Sequence, residues 1–464
     1  MEEEARKETE FREKYDKENE GYWEALEEAE SCIRSGIGID LEGGHPADIA
    51  SLINDLEIES GLTLLRTLEP AIQSYVLIKL EEERVSTFLE EMTPEEIAEI
   101  FEETETDDTS YFLAILDEDK RNAILSKFSK KESLKLRNQL GFREYTAGRI
   151  MSKDFATVSK NANVRSGIIQ VRKKAKEIED IYQVYVIDEE GVLEGFVPLK
   201  DLFLSPINTK ISKIMNYNLY SFHYDTDQEE VANTFRKYDL VSAAVVDDMG
   251  RIIGRITVDD VLEVVEEEAS EDILRLGGVS EDERLSTPIF SSLKRRITWL
   301  HVNLLTAFLS SSVVAFFEDT ISQIVVLATL MPIVAGLGGN AGTQSITVII
   351  RNLATGDLTL SNWWEAVKKE IVIGASNGII LGTLTATLIY LVKGNMILSV
   401  VVGSAMLINM MIASLVGSLV PLVLKKVGID PAIASSIFVT ASTDISGFFF
   451  FLGLATLLLK TVAP

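Results

Sequence analysis

One carboxylate, Asp444, is the only acid well inside any long apolar stretch of this chain, about a dozen residues from either end of its stretch. An ionised carboxylate at the centre of a lipid bilayer costs on the order of 3 kcal/mol even on lenient insertion scales, so it must face water, protein or a cation. No Lys or Arg lies deep in any apolar stretch to pair with it. We therefore expect a transported cation or a proton to neutralise Asp444. The alternative is a structural Asp bonded to a hydroxyl such as that of Thr440.

A second candidate region lies in an earlier apolar stretch, where residues 332–345 read PIVAGLGGNAGTQS. Because its four glycines and one proline weaken a helix, we predict an interruption that exposes backbone carbonyls, which protein or water must satisfy at membrane depth. The alternative is close helix packing through Gly338 and Gly342, four residues apart, and the two can coexist on opposite faces. The candidate pore residues are Asp444, Gly338, Gly339, Asn340, Thr343 and Gln344.

One Asp per chain is a sparse cation site. A two-fold homodimer would bring two copies of Asp444 and of the Asn340 segment to one axis without further sequence. Oxygen ligands favour a hard cation, and Mg²⁺ keeps most of its water and needs few direct carboxylates. These residues therefore favour magnesium over calcium as the ion.

Five apolar stretches of membrane-spanning length follow Arg296, near residues 297–317, 321–350, 371–392, 396–424 and 432–459. Basic residues collect on the cytosolic side of a membrane. If the N-terminus is inside, eight of the ten basic residues after position 290 are inside, and only Lys393 and Lys460 are outside. The start of the chain is acidic and lacks an apolar core, which predicts no cleavable signal peptide. The sequence thus predicts a multi-pass plasma membrane protein with cytoplasmic N-terminal domains, in contact with the lipid bilayer.

The first 290 residues differ sharply in charge from the rest. They carry 65 acidic and 34 basic residues, whereas the remainder carries 7 acidic and 10 basic residues. Such an acidic surface disfavours nucleic acid as a partner.

One Cys and three His exclude a disulfide framework and make a zinc or haem site improbable. There is no nucleophile with a base, no phosphate-binding Gly-Lys motif and no His pair at ligand spacing, so we expect no catalytic residues and no enzyme activity.

The segment 46–140 shows a short, regular repeat behind a charged lead-in that occupies positions 1–30. An apolar residue recurs every twelve positions, and only position 104, a Thr, departs from the pattern. These residues are Leu56, Leu68, Leu80, Met92, Leu116, Phe128 and Leu140. Such a period suits one short helix and a tight turn, which predicts a solenoid-like stack of helices. Thr93 followed by Pro94 has the form of a helix start. We place this helical N domain at residues 1–140.

A longer repeat follows, in which Ile150-Met151 recurs as Ile214-Met215 and residues 186–202 recur as residues 245–261. The two shifts, 64 and 59, indicate about five extra residues in the first copy, around positions 173–180. Each copy predicts a strand, an acidic Gly turn, a second strand and a helix. This pattern resembles a tandem pair of CBS domains, regulatory α+β modules, here placed at residues 141–268. An amphipathic connecting helix within residues 269–294, interrupted by Gly277-Gly278, and a five-helix membrane domain at 295–464 complete the chain.

Taken together, the chain resembles the MgtE family of magnesium channels over nearly its whole length. The most specific parts are residues 338–345, residues 350–357, Asp430-Pro431-Ala432 and Thr443-Asp444. The resemblance implies a homodimer whose second and fifth spans line a pore, with Asp444 binding hydrated magnesium and the connecting helices plugging the pore. Where many relatives carry Gly-Pro or Asn-Pro after the Asp-Pro-Ala motif, this chain has Ser436-Ile437.

The resemblance also implies regulatory magnesium on the acidic cytosolic part. The matching positions are Asp227, Glu229, Asp239, Asp260, Glu263, Glu268, Glu271 and Asp272, with Asp107 and Asp108 as candidates on the helical domain. A solvated acidic face is the alternative for any single one of them. The CBS pair is also expected to bind an adenine nucleotide such as ATP, at residues that the sequence does not identify.

These residues lead to the hypothesis of a feedback gate. Cytosolic Mg²⁺ would bridge acidic faces and hold the pore shut, and repulsion would open it when Mg²⁺ is scarce. A secondary transporter that couples a divalent cation to a Na⁺ or H⁺ gradient is the alternative function.

Overall fold

The computed structural model describes residues 11–460 except 12–13, 16–21, 38, 40, 42–43, 176–177, 179, 281–282, 284–286, 360 and 434. The chain divides into two compact units, Met1–Glu263 and Val264–Pro464. Most of the predicted lead-in lies outside the described residues. Its described part includes the start of helix α1 (Tyr22–Arg34), whose Tyr22 is buried.

The shorter repeat is confirmed in the helical N domain, where eight successive helices begin twelve residues apart. They are α2 (Pro46–Asp55), α3 (Ile58–Arg66), α4 (Pro70–Lys79), α5 (Glu82–Glu91), α6 (Pro94–Glu102), α7 (Thr106–Ile115), α8 (Glu118–Leu125) and α9 (Lys130–Leu140). Each helix packs on the next but one, so the stack has two rows. Thr93 forms a capping box with Glu96, as expected for a helix that begins at Pro94. The repeat markers Leu56, Met92 and Leu116 are buried in the shared core.

The second repeat is confirmed as two similar α+β copies. The first contains α10 (Ala147–Ile150), β1 (Thr157–Ser159), α11 (Val164–Lys174), β2 (Gln183–Ile187), β3 (Leu193–Pro198) and α12 (Leu199–Leu204). The second contains a 3₁₀ turn (Ile211–Lys213), β4 (Ser221–His223), α13 (Gln228–Tyr238), β5 (Ser242–Val246), β6 (Ile252–Thr257) and α14 (Val258–Leu276). In each copy the first strand is parallel to the second and the second is antiparallel to the third, with a bulge at the matching position. Eight residues separate α11 from β2, and three separate α13 from β5, which accounts for the five extra residues.

The two copies complete each other through an exchange of methionines. Met151, at the start of the first copy, packs on Gly254 of the second, and Met215, at the start of the second, packs on Gly195 of the first. A Cβ on Gly195 would lie 2.5 Å from the Asn216 carbonyl oxygen, and a Cβ on Gly254 would overlap the Met151 side chain along its length, so each position has room only for glycine. Backbone hydrogen bonds accompany each exchange, since Ser152 pairs with Arg255 and Asn216 pairs with Phe196.

The predicted connecting helix does not begin as a separate element. Helix α14 starts at Val258, inside the second CBS copy, and runs without a break to Leu276. No Gly or Pro lies within it, so nothing in the sequence stops the helix before Gly277-Gly278. Gly278 then adopts a φ of +70°, the left-handed conformation that commonly ends helices.

The five predicted spans are confirmed. They are α15 (Ile289–Phe316), α17 (Val326–Ala354), α18 (Trp363–Lys393), α19 (Met396–Val427) and α20 (Ser435–Lys460), and a short helix, α16 (Glu318–Gln323), follows the first span. Helix α19 is the most buried and packs against α17, α18 and α20. Glycines permit its close approach to α18, where Gly382 and Gly403 meet backbone to backbone.

The predicted interruption of the second span is wrong, and the packing alternative is confirmed. Helix α17 continues through Pro332 and all four glycines. A Cβ at Gly338 would collide with the Asn409 side chain, and a Cβ at Gly342 would collide with Val439. Gly338 and Gly342 therefore serve close contact with α19 and α20, and this packing outweighs the low helix propensity of the segment.

Candidate functional site

Asp444 lines a cavity of about 310 Å³ between the first and fifth spans. Helix α20 contributes Ser436, Ile437, Thr440, Ala441 and Asp444 to its wall. Helix α15 contributes Asn303, Thr306, Ala307 and Ser310. Six of these nine side chains are polar, and Asp444 is the only charged one. A polar wall is what a carboxylate in an apolar span requires.

Among the described residues, no hydrogen-bond donor or cationic group contacts the Asp444 carboxylate. Thr440 lies one turn away in the same wall, but no hydrogen bond joins the two side chains. The alternative of a structural Asp bonded to Thr440 therefore finds no support in this geometry. The carboxylate is half-buried and open to a ligand or to water.

The polar residues of the second span lie on a different surface from this cavity. Asn340, Thr343 and Gln344 are exposed on one face of α17. Gly338 lies on the opposite, packed face, and Gly339 is partly buried between them. None of these five residues lines the Asp444 cavity, so one chain alone does not gather the predicted pore set around a single space.

Two buried polar residues in the spans were missed by the sequence reasoning. Asn409 is fully buried in α19, donates to the Val334 carbonyl at 3.0 Å and accepts from the Ser446 hydroxyl at 3.1 Å. It thus ties the second, fourth and fifth spans together. Glu370 is 6 % exposed and accepts a hydrogen bond from Ser345 at 2.7 Å. Asp444 is therefore not the only acid within a span, since α18 begins at Trp363, well before the predicted third span.

The soluble unit gathers acids from two distant parts of the sequence. We call Glu105, Asp107, Asp108, Asp260 and Glu263 the acidic interface. Burial, followed by repulsion from Asp260, raises the pKa of both Asp107 and Asp108 well above its usual range. Burial raises the pKa of Asp260 to about 7, even though the backbone N–H and hydroxyl of Thr257 donate to it at 2.9 and 2.7 Å. The ionised forms of Asp107, Asp108 and Asp260 are therefore destabilised unless a cation is near.

Two cationic side chains border the acidic interface. Arg255 Nη2 donates to both carboxylate oxygens of Glu105, at 2.9 and 3.1 Å, and Lys79 Nζ lies 2.8 Å from Glu263. Within the described part of the chain, no ion pair reaches Asp107 or Asp260, and Asp107 Oδ1 is buried there without a hydrogen-bond partner. The sequence predicted Asp107, Asp108, Asp260 and Glu263 as regulatory residues but not Glu105, whose pairing with Arg255, 150 residues further along the chain, leaves no local pattern.

Three other predicted regulatory residues lie along α13. Asp227 caps the N-terminus of this helix and accepts from the Glu229 N–H at 2.9 Å. Asp239 ends the helix in a left-handed conformation, with φ at +50°. Asp227 and Asp239 lie twelve residues apart, so a rise of about 1.5 Å per residue separates their Cα atoms by roughly 18 Å along the axis, too far for their carboxylates to share an ion.

The remaining predicted regulatory residues, Glu268, Glu271 and Asp272, follow one another on the last turns of α14. Within the second unit, Asp430 from the loop before α20 joins them. Burial, then repulsion from Asp430 and Glu268, raises the pKa of Asp272 to about 6. Arg275 forms ion pairs with Glu271 and with Asp430. Leu276 packs beside Ile346, Ile350 and Ala432. Sequence reasoning noted Asp430 only as part of a motif, because a contact between such distant parts of the chain leaves no local pattern.

The fit of these groups to Mg²⁺ follows from their chemistry. Among the described residues, no three His, Cys, Asp or Glu side chains stand close enough to form a metal cage. Mg²⁺ does not require one, since it retains several waters and accepts one or two direct carboxylates. The orphaned Asp107 Oδ1 and the raised pKa values of its neighbours suit an ion held partly through water.

These features are those of a multi-pass cation transport protein with acidic soluble domains. The particular family follows from sequence similarity. The family model for MgtE, described as a divalent cation transporter, matches residues 331–454; that for the MgtE intracellular N domain matches 44–145; and that for the CBS domain matches 147–206 and 211–267. The chain is 34% identical to the magnesium transporter MgtE of Thermus thermophilus over 454 residues, which cover 95% of this chain and 98% of the relative. It is 33% identical to that of Enterococcus faecalis, over 71% of this chain and 73% of the relative.

The chain therefore belongs to the MgtE family, as the motifs predicted. This is a transporter family and not an enzyme family, and its members handle divalent cations. The chain is a multi-pass membrane protein with cytoplasmic N-terminal and CBS domains, as the charge distribution predicted. The cytosolic domain of the Mg²⁺ channel MgtE, solved in complex with ATP, is 30% identical with a TM-score of 0.47, over 52% of this chain and 98% of that one. Binding of an adenine nucleotide to this chain stays a prediction.

Proposed function

We propose that this protein is a channel that imports Mg²⁺ across the plasma membrane and is closed by cytosolic Mg²⁺. The observation that carries the proposal is the Asp444 carboxylate in a polar cavity without a basic partner among the described residues. A fixed cation there would block passage, whereas neutral oxygens and one carboxylate bind a hard cation weakly enough to release it. The names of the two relatives support magnesium as the ion.

The exposed polar face of the second span supports a homodimer. Asn340, Thr343 and Gln344 would be costly against lipid tails, so they require a polar surface beyond the single chain. A two-fold partner would supply it and would bring two such faces and two Asp444 carboxylates to one pore. Mass measurement of the purified protein in detergent tests the dimer, and a monomeric transport-competent protein would contradict it.

Transport is tested by Mg²⁺ influx into liposomes that contain the purified full chain. Asp444→Asn removes the charge and keeps the size, so influx should fall to the level of empty liposomes. Asp319→Asn is a matched control, because Asp319 is an exposed acid outside the spans. Wild-type influx should persist without a Na⁺ or H⁺ gradient. Strict dependence on either gradient would instead establish the coupled transporter, and equal influx by Asp444→Asn would remove this residue from the pathway.

The acidic interface supports the gating part of the proposal. Its carboxylates repel one another when ionised, and a divalent cation between them would stabilise the contact between the helical domain and the CBS pair. The Glu268, Asp272 and Asp430 group offers a second such position. If several weak sites bind Mg²⁺ together, the channel closes at millimolar concentrations of cytosolic Mg²⁺.

Gating is tested with the double variant Asp260→Asn, Glu263→Gln. The amide oxygen that Asp260→Asn introduces can still accept from Thr257, so the start of α14 is preserved while the charges are lost. We expect influx at high internal Mg²⁺, where the wild type is closed. The pair Glu189→Gln, Glu190→Gln serves as the control, since both acids are exposed on a turn of the first CBS copy. Closure of the Asp260 and Glu263 variant at wild-type concentrations would exclude these residues as sensors.

A further inference from the structure

The cavity beside Asp444 is lined by two polar rows, and one of them belongs to the first span. On α20 the row is Ser436, Thr440 and Asp444, and on α15 it is Asn303, Thr306 and Ser310. Spacings of three or four residues place each row on one face of its helix. The first and fifth crossings run in the same direction through the membrane, so the rows lie side by side.

The hydroxyls of the α15 row are oriented as acceptors. Thr306 Oγ1 donates to the Asn303 carbonyl at 2.9 Å, and Ser310 Oγ donates to the Thr306 carbonyl at 3.2 Å. Each hydroxyl proton is therefore used within the helix, and the oxygen lone pairs remain for the cavity. The waters around a metal cation direct their hydrogens outward, so a hydrated cation presents only donors to this wall.

The size and charge of the cavity suit the same ligand. Six waters at roughly 30 Å³ each occupy ~180 Å³, and the cavity holds about 310 Å³. None of the nine lining residues is basic. The α20 row extends from Ser436, near the cytosolic end of the fifth span, to Asp444, about 12 Å deeper at 1.5 Å per residue.

We infer that Asn303, Thr306 and Ser310 form a second wall of the ion pathway, which binds a hydrated divalent cation through its waters between Asp444 and the cytosolic end of the fifth span. This inference rests on the function proposed above and adds the first span to the elements that the ion touches. The contacts are outer-sphere, so the wall selects for a cation that keeps its water.

The experiment compares two double variants of α15 in the full chain, in liposomes with a Mg²⁺ indicator inside. Thr306→Val, Ser310→Ala removes the two hydroxyl acceptors of the wall and leaves Asn303 in place. Thr298→Val, Ser312→Ala removes two hydroxyls outside the cavity that also donate to carbonyls of the preceding turn, at 3.3 and 2.8 Å. Block by hexaamminecobalt(III), a stable complex that presents only N–H donors, is measured for each.

We expect the wall variant to lose about tenfold in Mg²⁺ influx and about tenfold in sensitivity to the cobalt complex, while the control variant matches the wild type. Thr306→Ser, which keeps the hydroxyl, should retain influx that Thr306→Val loses. Equal behaviour of the two double variants, or equal loss by Thr306→Ser and Thr306→Val, would overturn the inference. If the wild type conducts and Asp444→Asn does not, either of these results refutes only the role of the α15 row and leaves the proposed function intact. A wild type without influx would instead refute the proposed function.

Discussion

The acidic interface of the soluble unit and the Asp444 cavity of the membrane unit both keep carboxylates from bulk water, but their neighbours differ. The acidic interface gathers five acids with Arg255 and Lys79 at its border. The cavity holds one acid among neutral hydroxyl and amide groups. Several coupled acids that bind cations together change their occupancy steeply with cation concentration, as a sensor must. A single acid among neutral oxygens binds briefly and releases, which is what passage requires.

The largest effect that separates the two regions is expected from Asp444→Asn. Influx should fall at least 100-fold, because the only charge that attracts the ion into the cavity is lost. The rise in unfolding midpoint that Mg²⁺ causes should remain, since the acidic interface is intact. Thermal unfolding of the purified protein with Mg²⁺ and with chelator measures it. If Asp444→Asn lost both influx and the stabilisation by Mg²⁺, the cavity and the acidic interface would not be separate sites.

The converse change, Asp107→Asn with Asp108→Asn, should spare influx at low internal Mg²⁺ and raise the concentration needed for closure about tenfold. The amides relieve the repulsion from Asp260, so the unfolding midpoint in chelator should rise by ~5 °C. A closure curve identical to that of the wild type, measured by influx against internal Mg²⁺, would remove the acidic interface from gating.

Proton concentration should act on the soluble region in the same direction as Mg²⁺. The pKa of Asp260 is raised to about 7 by burial, so its ionised form destabilises the fold at higher pH. In chelator, stability should therefore increase as pH falls from 8 through 7 to 6, with the unfolding midpoint rising by ~3 °C. Saturating Mg²⁺ should abolish most of this dependence, because it replaces the proton. A midpoint that falls over this range would contradict the assignment.

A smaller effect is expected at the end of α14. Arg275→Gln removes the cation that pairs with Glu271 and Asp430, so the acids around Asp272 should bind Mg²⁺ more tightly. Closure should then occur at about threefold lower Mg²⁺. Arg236→Gln, on an exposed part of α13 with an amide partner, provides a control for loss of one positive charge. Closure at higher Mg²⁺ in Arg275→Gln would mean that the ion pairs themselves hold the closed form.

The fold could be predicted from the sequence wherever a local period was present. The short repeat of the N domain indicated the starts of eight helices, and the recurrence of Ile150-Met151 as Ile214-Met215 indicated the CBS pair. The spans followed from apolar length, although Glu370 was left outside the third span because its charge ended the apolar stretch. Periods and lengths are properties of neighbouring residues, so a sequence shows them directly.

The contacts that assemble the sites could not be predicted in this way. Asp107 meets Asp260 and Arg275 meets Asp430 across long intervening segments, and no local pattern records such a meeting. Asn303, Thr306 and Ser310 were visible as polar residues at helical spacing in an apolar span, a signal that could have been used. The predicted break in α17 was wrong because propensity was weighed without the neighbouring helices, whose contact at Gly338 and Gly342 favours a continuous helix.

Because Met151 and Met215 are exchanged between the two CBS copies, neither copy can be removed from the chain without exposing part of the other. A single CBS copy cut from its neighbour would leave an empty slot over its glycine and an uncovered methionine at its start. Each CBS copy alone therefore lacks part of its packing, and the two copies must remain together in one chain. A change at either glycine therefore requires a compensating change at the methionine that packs on it.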